Sequence, residues 1–381
     1  MSVARARVEP FYAVEINRLA NERSRRGLPV IHMEVGQPSA GAPRAAIEAG
    51  QRALAGAEQG YWESGALKER IATLYGERYG LERGAAQVIL SMGASGALVL
   101  ALAVLFEHGA RVALPRPGYP GHRNVLRALG LVPQELDCGP ETRFQPTAAM
   151  IAALDPPPAG LILTSPSNPT GTMLERSELH ALAEVCKARS IRIISDETYH
   201  GITFGRRAHS MHEFEPDAVV INSFSKYWCM TGWRLGWAMV PMDLVETMNR
   251  YSANMFLAPP TLAQHVALVA MDEKAELEGH VATYAKNREL LVAALQAFGI
   301  TRMAPADGAF YIYADVSHLT GDSLAWCREL LDETGLALNT GRDFDSINGG
   351  HFIRISFAVS TPEILQAIDL LGGGLKRRTR S

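Results

Sequence analysis

The sequence predicts an α/β fold: a mainly parallel sheet with helices on both faces, followed by a smaller α+β domain. Three observations carry that expectation. From Ala86 onward, short apolar runs of strand length alternate with longer amphipathic segments. The chain has 381 residues, 47% of them hydrophobic, which suits a large α/β unit with a smaller companion. The last part abandons the alternation for separate runs at Ala309–Asp315, Leu324–Leu331 and Phe352–Ala358.

Each element follows from a local pattern. Phe11 to Arg26 sets apolar side chains, Val14 and Leu19 among them, between charges and stops at Gly27, as an amphipathic helix does. Val30 to Val35 is an extended segment that breaks at Gly36-Gln37-Pro38, and the stretch to Pro43 is turn-rich. Buried strands are expected at Val88–Leu90, Val112–Leu114, Leu161–Leu163, Ile191–Ile194 and Val219–Ile221, with a further one within Trp233–Val240. Helical patterns lie between them, for example Ala97–Phe106 and Glu178–Arg189, and a long interrupted helical region runs from Asp243 to Phe298.

Composition narrows the function classes. A net charge of −3 gives no reason to expect a nucleic-acid or membrane partner. The basic tail, Lys376, Arg377, Arg378 and Arg380, is expected to be a solvated terminus. Cys138, Cys186, Cys229 and Cys327 are widely spaced without a C-x-x-C pair, which predicts buried or half-buried thiols in a reducing compartment. No apolar segment follows the N-terminal arginines, and the longest apolar run falls far short of the roughly 20 residues of a membrane span, so a soluble cytoplasmic protein is expected. The eleven histidines show no metal-binding spacing; His209 and His212 lie close together in a polar stretch and are expected at the surface, and no metal is expected.

Parallel sheets bind ligands beyond the carboxyl ends of their strands, so the residues after each strand carry the chemistry. After Val88-Ile89-Leu90 comes Ser91-Met92-Gly93-Ala94-Ser95-Gly96 and a helix, which is either an anion site at a helix N-terminus or an ordinary Gly/Ser helix start. After Leu163 comes Ser165-Pro166-Ser167-Asn168-Pro169-Thr170-Gly171, a rigid turn in which Asn168 either donates to a ligand or only shapes the turn. After Ile194, Asp196 and Tyr199 stand three residues apart at a strand exit, where an aspartate is also a common helix cap. After Ile221 comes Ser223-Phe224-Ser225-Lys226, with Arg234 eight positions later. Lys226 sits among aromatic and small residues; burial there lowers its pKa and leaves an amine able to form a Schiff base.

Taken together these pieces resemble the class I/II aminotransferases, the fold-type-I pyridoxal-phosphate enzymes. The matching segments are VGQP (Val35–Pro38), GASGAL (Gly93–Leu98), PRPGYP (Pro115–Pro120), SPSNPTG (Ser165–Gly171), SDETY (Ser195–Tyr199), SFSK (Ser223–Lys226), MTGWRLGW (Met230–Trp237) and FIRISFA (Phe352–Ala358). They occur in the family's order over nearly the whole chain. The resemblance implies a seven-stranded sheet and a small domain built from both chain ends. It divides the chain into an N-terminal arm and part of the small domain (1–40), a large cofactor-binding domain (41–285) and a small C-terminal domain (286–381).

The same resemblance implies residue roles. Lys226 carries pyridoxal 5'-phosphate and moves a proton once the substrate amine has displaced it. Asp196 pairs with the protonated ring nitrogen. Asn168 and Tyr199 bond the ring hydroxyl oxygen, and Tyr119 stacks on the ring face. The phosphate sits on the backbone at Ala94 and Ser95, with Ser223 and Arg234 beside it. Arg354 clamps the substrate α-carboxylate, with Asn168 and the Gly36 backbone close by. Tyr61 resembles the tyrosine that reaches the phosphate of the neighbouring subunit, which implies a homodimer with shared sites. The implied reaction moves the amino group of an L-amino acid to a 2-oxo acid. C–S lyases and decarboxylases of the same fold share the Lys226–Asp196 machinery and are the alternative. A ligand-sensing regulator would need an added DNA-binding domain, for which the residues before Val30 are too few.

The chain departs from the family pattern at Trp62-Glu63, at Arg116, at His122 and after Pro38. These departures are expected to leave the cofactor chemistry untouched and to shape the pocket that reads the side chain. Arg116, His122 and Arg123 are the cations near Tyr119 that could hold a second substrate carboxylate, though Arg123 lies at what reads as an ordinary helix start. Trp62 would add an apolar wall. A neutral, apolar or aromatic donor is therefore expected, with 2-oxoglutarate or pyruvate as acceptor.

Overall fold

The structure is a computed structural model that describes residues 8–56 and 59–378. Beyond Lys376, the side chains of the basic tail lie outside the described residues. Twelve strands are present among the described residues: β1 (Ile31–His32), β2 (Val88–Ser91), β3 (Arg111–Arg116), β4 (Val132–Asp137), β5 (Gly160–Thr164), β6 (Arg192–Asp196), β7 (Val219–Ser223), β8 (Gly236–Met239), β9 (Tyr311–Asp315), β10 (Leu336–Ala337), β11 (Asn339–Thr340) and β12 (Phe352–Ser356). The helices are α1 (Tyr12–Arg25), α2 (Arg44–Gly56), α3 (Gly65–Tyr79), α4 (Gly93–Leu105), α5 (Pro120–Ala128), α6 (Ala148–Ala152), α7 (Arg176–Ala188), α8 (Met242–Met255), α9 (Thr261–Ala270), α10 (Lys274–Ala297), α11 (Ser323–Thr334) and α12 (Thr361–Arg378). The long helical region expected from Asp243 to Phe298 is three helices, and Pro259-Pro260 stand in the break between the first two, just before α9 begins.

The main sheet has seven strands in the order β2-β8-β7-β6-β5-β3-β4, all parallel except β8, which runs against both of its neighbours. Its side chains alternate between two cores, as the pleat requires. Ile89, Val112, Leu114, Ile162, Ile194, Ile221 and Ala238 pack with the apolar faces of α4, α5 and α8. Val88, Leu90, Ala113, Leu161, Leu163, Ile193, Val220 and Trp237 face the other way, toward α3, α7 and α9. Both faces are thus covered, and the central strands are apolar through their middles. The sequence reading missed β4. It is the edge strand, its Val132 is 45% exposed and Pro133 interrupts it, so it lacks the apolar run that reveals a central strand.

The smaller part draws on both chain ends. A three-stranded antiparallel sheet, β11-β12-β9, comes from the C-terminal region. β1 pairs in parallel with β10, and the Asp343 carboxylate accepts the Tyr12 and Ala13 N–H groups at 2.7 and 2.9 Å, closing the open N-terminus of α1. No helix among the described residues is long and apolar enough to cross a membrane.

One close approach joins the sheet to the start of α4. At Gly236, a Cβ would lie 2.7 Å from both the Asn222 carbonyl oxygen and the Gly93 carbonyl carbon, and 2.8 Å from the Ala94 nitrogen. All three are backbone atoms, so nothing can swing aside. Gly236→Ala is therefore expected to destabilise the protein by about 1–3 kcal/mol, read from denaturant unfolding of the cofactor-free protein. Unchanged stability would show that the strand and helix are not packed this closely.

Candidate active site

The register of β5, β6 and β7 sets the site. Thr164 pairs with Asp196, and Asp196 with Ile221, so the three strands end at nearly the same level. Their exit loops, the N-terminus of α4 and two elements of the smaller part enclose a cavity of about 370 Å³, within the range of small-molecule sites. Gly36, Ala94, Ser95, Tyr119, Asn168, Asp196, Tyr199, Ser223, Lys226, Arg234 and Arg354 all line it.

At one end, α4 presents Ala94 and Ser95 without a side-chain cap, so its first N–H groups are open to a ligand. Gly93 has φ +73°, and a Cβ there would come within 2.7 Å of Arg234 Nη2, so the glycine makes room for the guanidinium. Arg234 Nη1 donates to the Thr231 carbonyl at 2.9 Å, and Ser225 N donates to Ser223 Oγ at 3.0 Å. Helix N–H groups, a guanidinium and hydroxyls together make an anion site.

Lys226 occupies the middle, its Nζ donating to the Gly36 carbonyl at 2.5 Å. Burial, and then the charges of Arg354 and Arg234, push the amine down to about 8, with Asp196 opposing them. At the far end, Asp196 Oδ1 accepts from Thr198 Oγ1 and N at 2.5 and 3.1 Å, and Oδ2 lies 2.9 Å from His122 Nε2. Burial pushes this carboxyl up, but the His122 hydrogen bond and charge and the two Thr198 bonds outweigh it, so the pKa lies below the ordinary value. Tyr119 stands edge-on to His122 at 5.3 Å between centroids.

The smaller part closes the cavity through Arg354, which is 2% exposed on β12. Its Nη1 donates to Asn168 Oδ1 at 3.0 Å and its Nη2 to the Glu34 carbonyl, while Nε has no protein partner. The guanidinium also lies 4.5 and 4.8 Å from the ring centroids of Tyr311 and Phe344. Asn168 thus spends its oxygen on Arg354 and keeps its N–H₂ to donate. Tyr199 and Tyr311 share a hydrogen bond of 2.7 Å. A Cβ on Gly36 would fall 2.0 Å from the Tyr311 hydroxyl, so only glycine fits there.

Several expectations change. His122 was expected to bear on the side-chain pocket alone, but it bonds the carboxylate of Asp196 directly. Arg116 does not reach the cavity; Asp137 and Asp345 hold it at 2.9 and 3.3 Å. Arg123, by contrast, is structural as expected from its place at a helix start, paired with Glu9 and Glu135 at 2.8 and 3.1 Å. His212 is not at the surface: it is buried, and its Nε2 bonds the Ala218 carbonyl at 2.8 Å, while the half-buried His209 bonds Glu213. Tyr61, expected to serve a neighbouring subunit, lies outside the cavity of its own chain and is 84% exposed; Trp62 stacks on His265 at 4.8 Å and does not line that cavity either. Sequence reasoning missed Tyr311, Thr198 and the α1 wall of Phe11, Ala13, Val14 and Asn17. Thr198 had a signal, since Asp-x-Thr favours a local turn in which Asp accepts the following N–H. The others are brought in only by tertiary packing.

Because its pKa is lowered, the Lys226 amine is mostly neutral above pH 8. Labelling of the cofactor-free protein with an amine reagent, followed residue by residue by mass spectrometry, should give Lys226 a midpoint near 8. A midpoint near the ordinary 10.5 would show that the amine is not buried among cations.

Comparison with known proteins agrees with this geometry. The profile of the family described as aminotransferase class I and II matches residues 29–371. The chain is 44% identical over 378 residues to a valine–pyruvate aminotransferase of Mycobacterium tuberculosis, covering 97% of each. It is 30% identical over 382 residues to an aspartate aminotransferase of Geobacillus stearothermophilus, covering 96% of each. Among solved structures, an aminotransferase from Mycobacterium tuberculosis superposes with a TM-score of 0.96 at 44% identity over 99% of both chains. An aspartate aminotransferase from Thermus thermophilus with maleate superposes with a TM-score of 0.89 at 27% identity, over 96% of this chain and 97% of that one. The chain therefore belongs to the class I and II aminotransferases, enzymes that move an amino group from an amino acid to a 2-oxo acid.

Proposed function

We propose that this aminotransferase carries pyridoxal phosphate on Lys226 and takes its amino groups mainly from amino acids with neutral, apolar side chains. The observation that supports it most is the half-buried Lys226 amine, set between an anion site at α4 and a carboxylate at β6. The cavity fits the cofactor in three ways. The uncapped α4 N-terminus with Arg234 and Ser223 suits a phosphate; the low pKa of Asp196 suits a protonated ring nitrogen; the unspent N–H₂ of Asn168 and the hydroxyl of Tyr199 suit a ring oxygen.

Bound pyridoxal phosphate supplies an electron-accepting ring and the carbon through which the amino group passes. The protein's own groups do the rest. Arg354 holds the substrate α-carboxylate, and its unpaired Nε gives it a donor to spare. Lys226 Nζ takes the proton from the substrate Cα and returns it on the product side, a task suited to an amine titrating near neutrality. Asp196, its pKa lowered, would pair with the protonated ring nitrogen, and His122 holds the carboxylate at Oδ2.

The wall facing the substrate side chain is apolar: Phe11, Ala13, Val14 and Val35 line it, with Tyr119 and Tyr311. Among the described residues, the cations lining the cavity are Lys226, Arg234 and Arg354, and each already has a role. That the similar Mycobacterium tuberculosis enzyme is named for valine and pyruvate supports an aliphatic donor and pyruvate as acceptor. A homodimer with shared sites belongs to the same reading. Thr261 and Gln264 fix the Gly60–Trp62 segment through its carbonyls, leaving Tyr61 facing outward; Met255 and Leu257, before α9, are exposed too. The four buried cysteines, Cys138, Cys186, Cys229 and Cys327, support a reducing, cytoplasmic setting.

Comparing kcat/KM for valine, alanine, methionine, phenylalanine and aspartate tests the substrate class. An unpaired carboxylate in an apolar pocket costs several kcal/mol, so aspartate should fall at least about a hundredfold below the best neutral donor. A preference for aspartate would refute the apolar-pocket reading.

A further inference from the structure

We propose that His200 is a positioning residue for amino transfer: its imidazole ties the loop that carries Asn168 to the loop that carries Asp196 and Tyr199. His200 is 1% exposed and does not line the cavity. Its Nε2 lies 2.9 Å from the Ser165 carbonyl oxygen. A carbonyl oxygen only accepts, so the ring proton must sit on Nε2. Nδ1 is then a lone pair, and at 2.7 Å it accepts from the Tyr79 hydroxyl at the end of α3. Burial pushes the ring down to about 3, so it stays neutral and this tautomer persists across the working pH range.

Glu197 completes the arrangement. Its Oε1 accepts from Met211 N at 2.8 Å and from the Ser195 and Ser210 hydroxyls at 3.1 Å each. Its Oε2 is buried without a hydrogen-bond partner and stands 3.4 Å from His200 Nδ1. A carboxylate oxygen facing a ring lone pair would repel it. Burial pushes this carboxyl up to about 8, so near neutrality the acid is protonated, and a proton on Oε2 faces the lone pair. The Tyr79 hydroxyl therefore holds Nδ1 in its acceptor state, and the neutral Glu197 acid beside it brings no repelling charge, which keeps the Nε2 proton aimed at Ser165.

The position of this tie matters. The last rung between β5 and β6 pairs Thr164 with Asp196, and the loops part beyond it. The His200–Ser165 bond carries the connection past the end of the ladder. Ser165 opens the turn whose Asn168 supports Arg354, and His200 directly follows Tyr199. One imidazole thus fixes the spacing between the groups on either side of the cavity. The inference rests on the reading that Asn168, Asp196 and Tyr199 surround the cofactor.

The test uses the holoenzyme and His200→Gln, His200→Leu and His200→Asn. A glutamine can donate to Ser165 and accept from Tyr79; leucine fills the space without donating; asparagine is polar but too short to span both partners. Shifts in the spacing of Asn168, Tyr199 and Asp196 change the pH midpoint of the cofactor absorption band, a signal that simple loss of packing would leave alone. In His200→Leu that midpoint should move by about half a unit or more and kcat should fall at least about tenfold, since misplacement well under 1 Å is costly in such sites. His200→Gln should restore both toward wild type. If His200→Leu does not fold, His200→Asn against His200→Gln makes the same comparison. Midpoints and kcat equal to wild type in every folded variant would overturn the proposal. A wild-type protein without a pH-dependent cofactor band would instead sink the Lys226 reading, and this inference with it.

Discussion

A half-buried lysine amine sits beside two guanidinium groups, and much of the site is arranged around that repulsion. Lys226 is half-buried, Arg354 is buried and Arg234 reaches solvent, so the repulsion among them falls mainly on the Lys226 amine unless something compensates. The Asp196 carboxylate opposes the two arginines at Lys226, and the Gly36 carbonyl accepts from its Nζ. Arg354 is in turn held by Asn168, by the Glu34 carbonyl and over two aromatic faces. The result is an amine that titrates near neutrality, where it can act as both nucleophile and base. The same positive field suits a ligand that brings a phosphate and a substrate that brings a carboxylate.

This balance depends on the sheet. Parallel strands with one register deliver Asn168, Asp196 and Lys226 from three consecutive exits, while the antiparallel β8 lets Gly236 press against the start of α4. The smaller part supplies what the sheet cannot: Arg354 and Tyr311 from antiparallel strands, and an apolar wall from α1, whose N-terminus Asp343 secures. Residues far apart in sequence therefore meet only when both parts are folded together.

That division explains what was legible beforehand. The central strands show as apolar runs, and the segments that follow them resemble the family's motifs, so Asn168, Asp196, Tyr199, Ser223 and Lys226 were expected together, and all five line the cavity. One strand and two side-chain partners escaped for physical reasons. β4 is half solvent-facing and carries a proline, so its pattern is weak. Arg116 looked like a free cation because its partner Asp345 lies more than two hundred residues away. His122 looked like a pocket variant because the three-residue step from Tyr119 hides that α5 turns it onto Asp196. The hydroxyl of Tyr311 and the α1 wall follow from packing between the two parts, which no local pattern carries.

The central claim is that Lys226 is the attachment point. Reducing the holoenzyme with borohydride and mapping the modified peptide tests it most directly, because reduction fixes the cofactor to whichever amine holds it. The label should appear on the peptide containing Lys226 and vanish, with the yellow colour, in Lys226→Ala. A label on any other lysine would contradict the account.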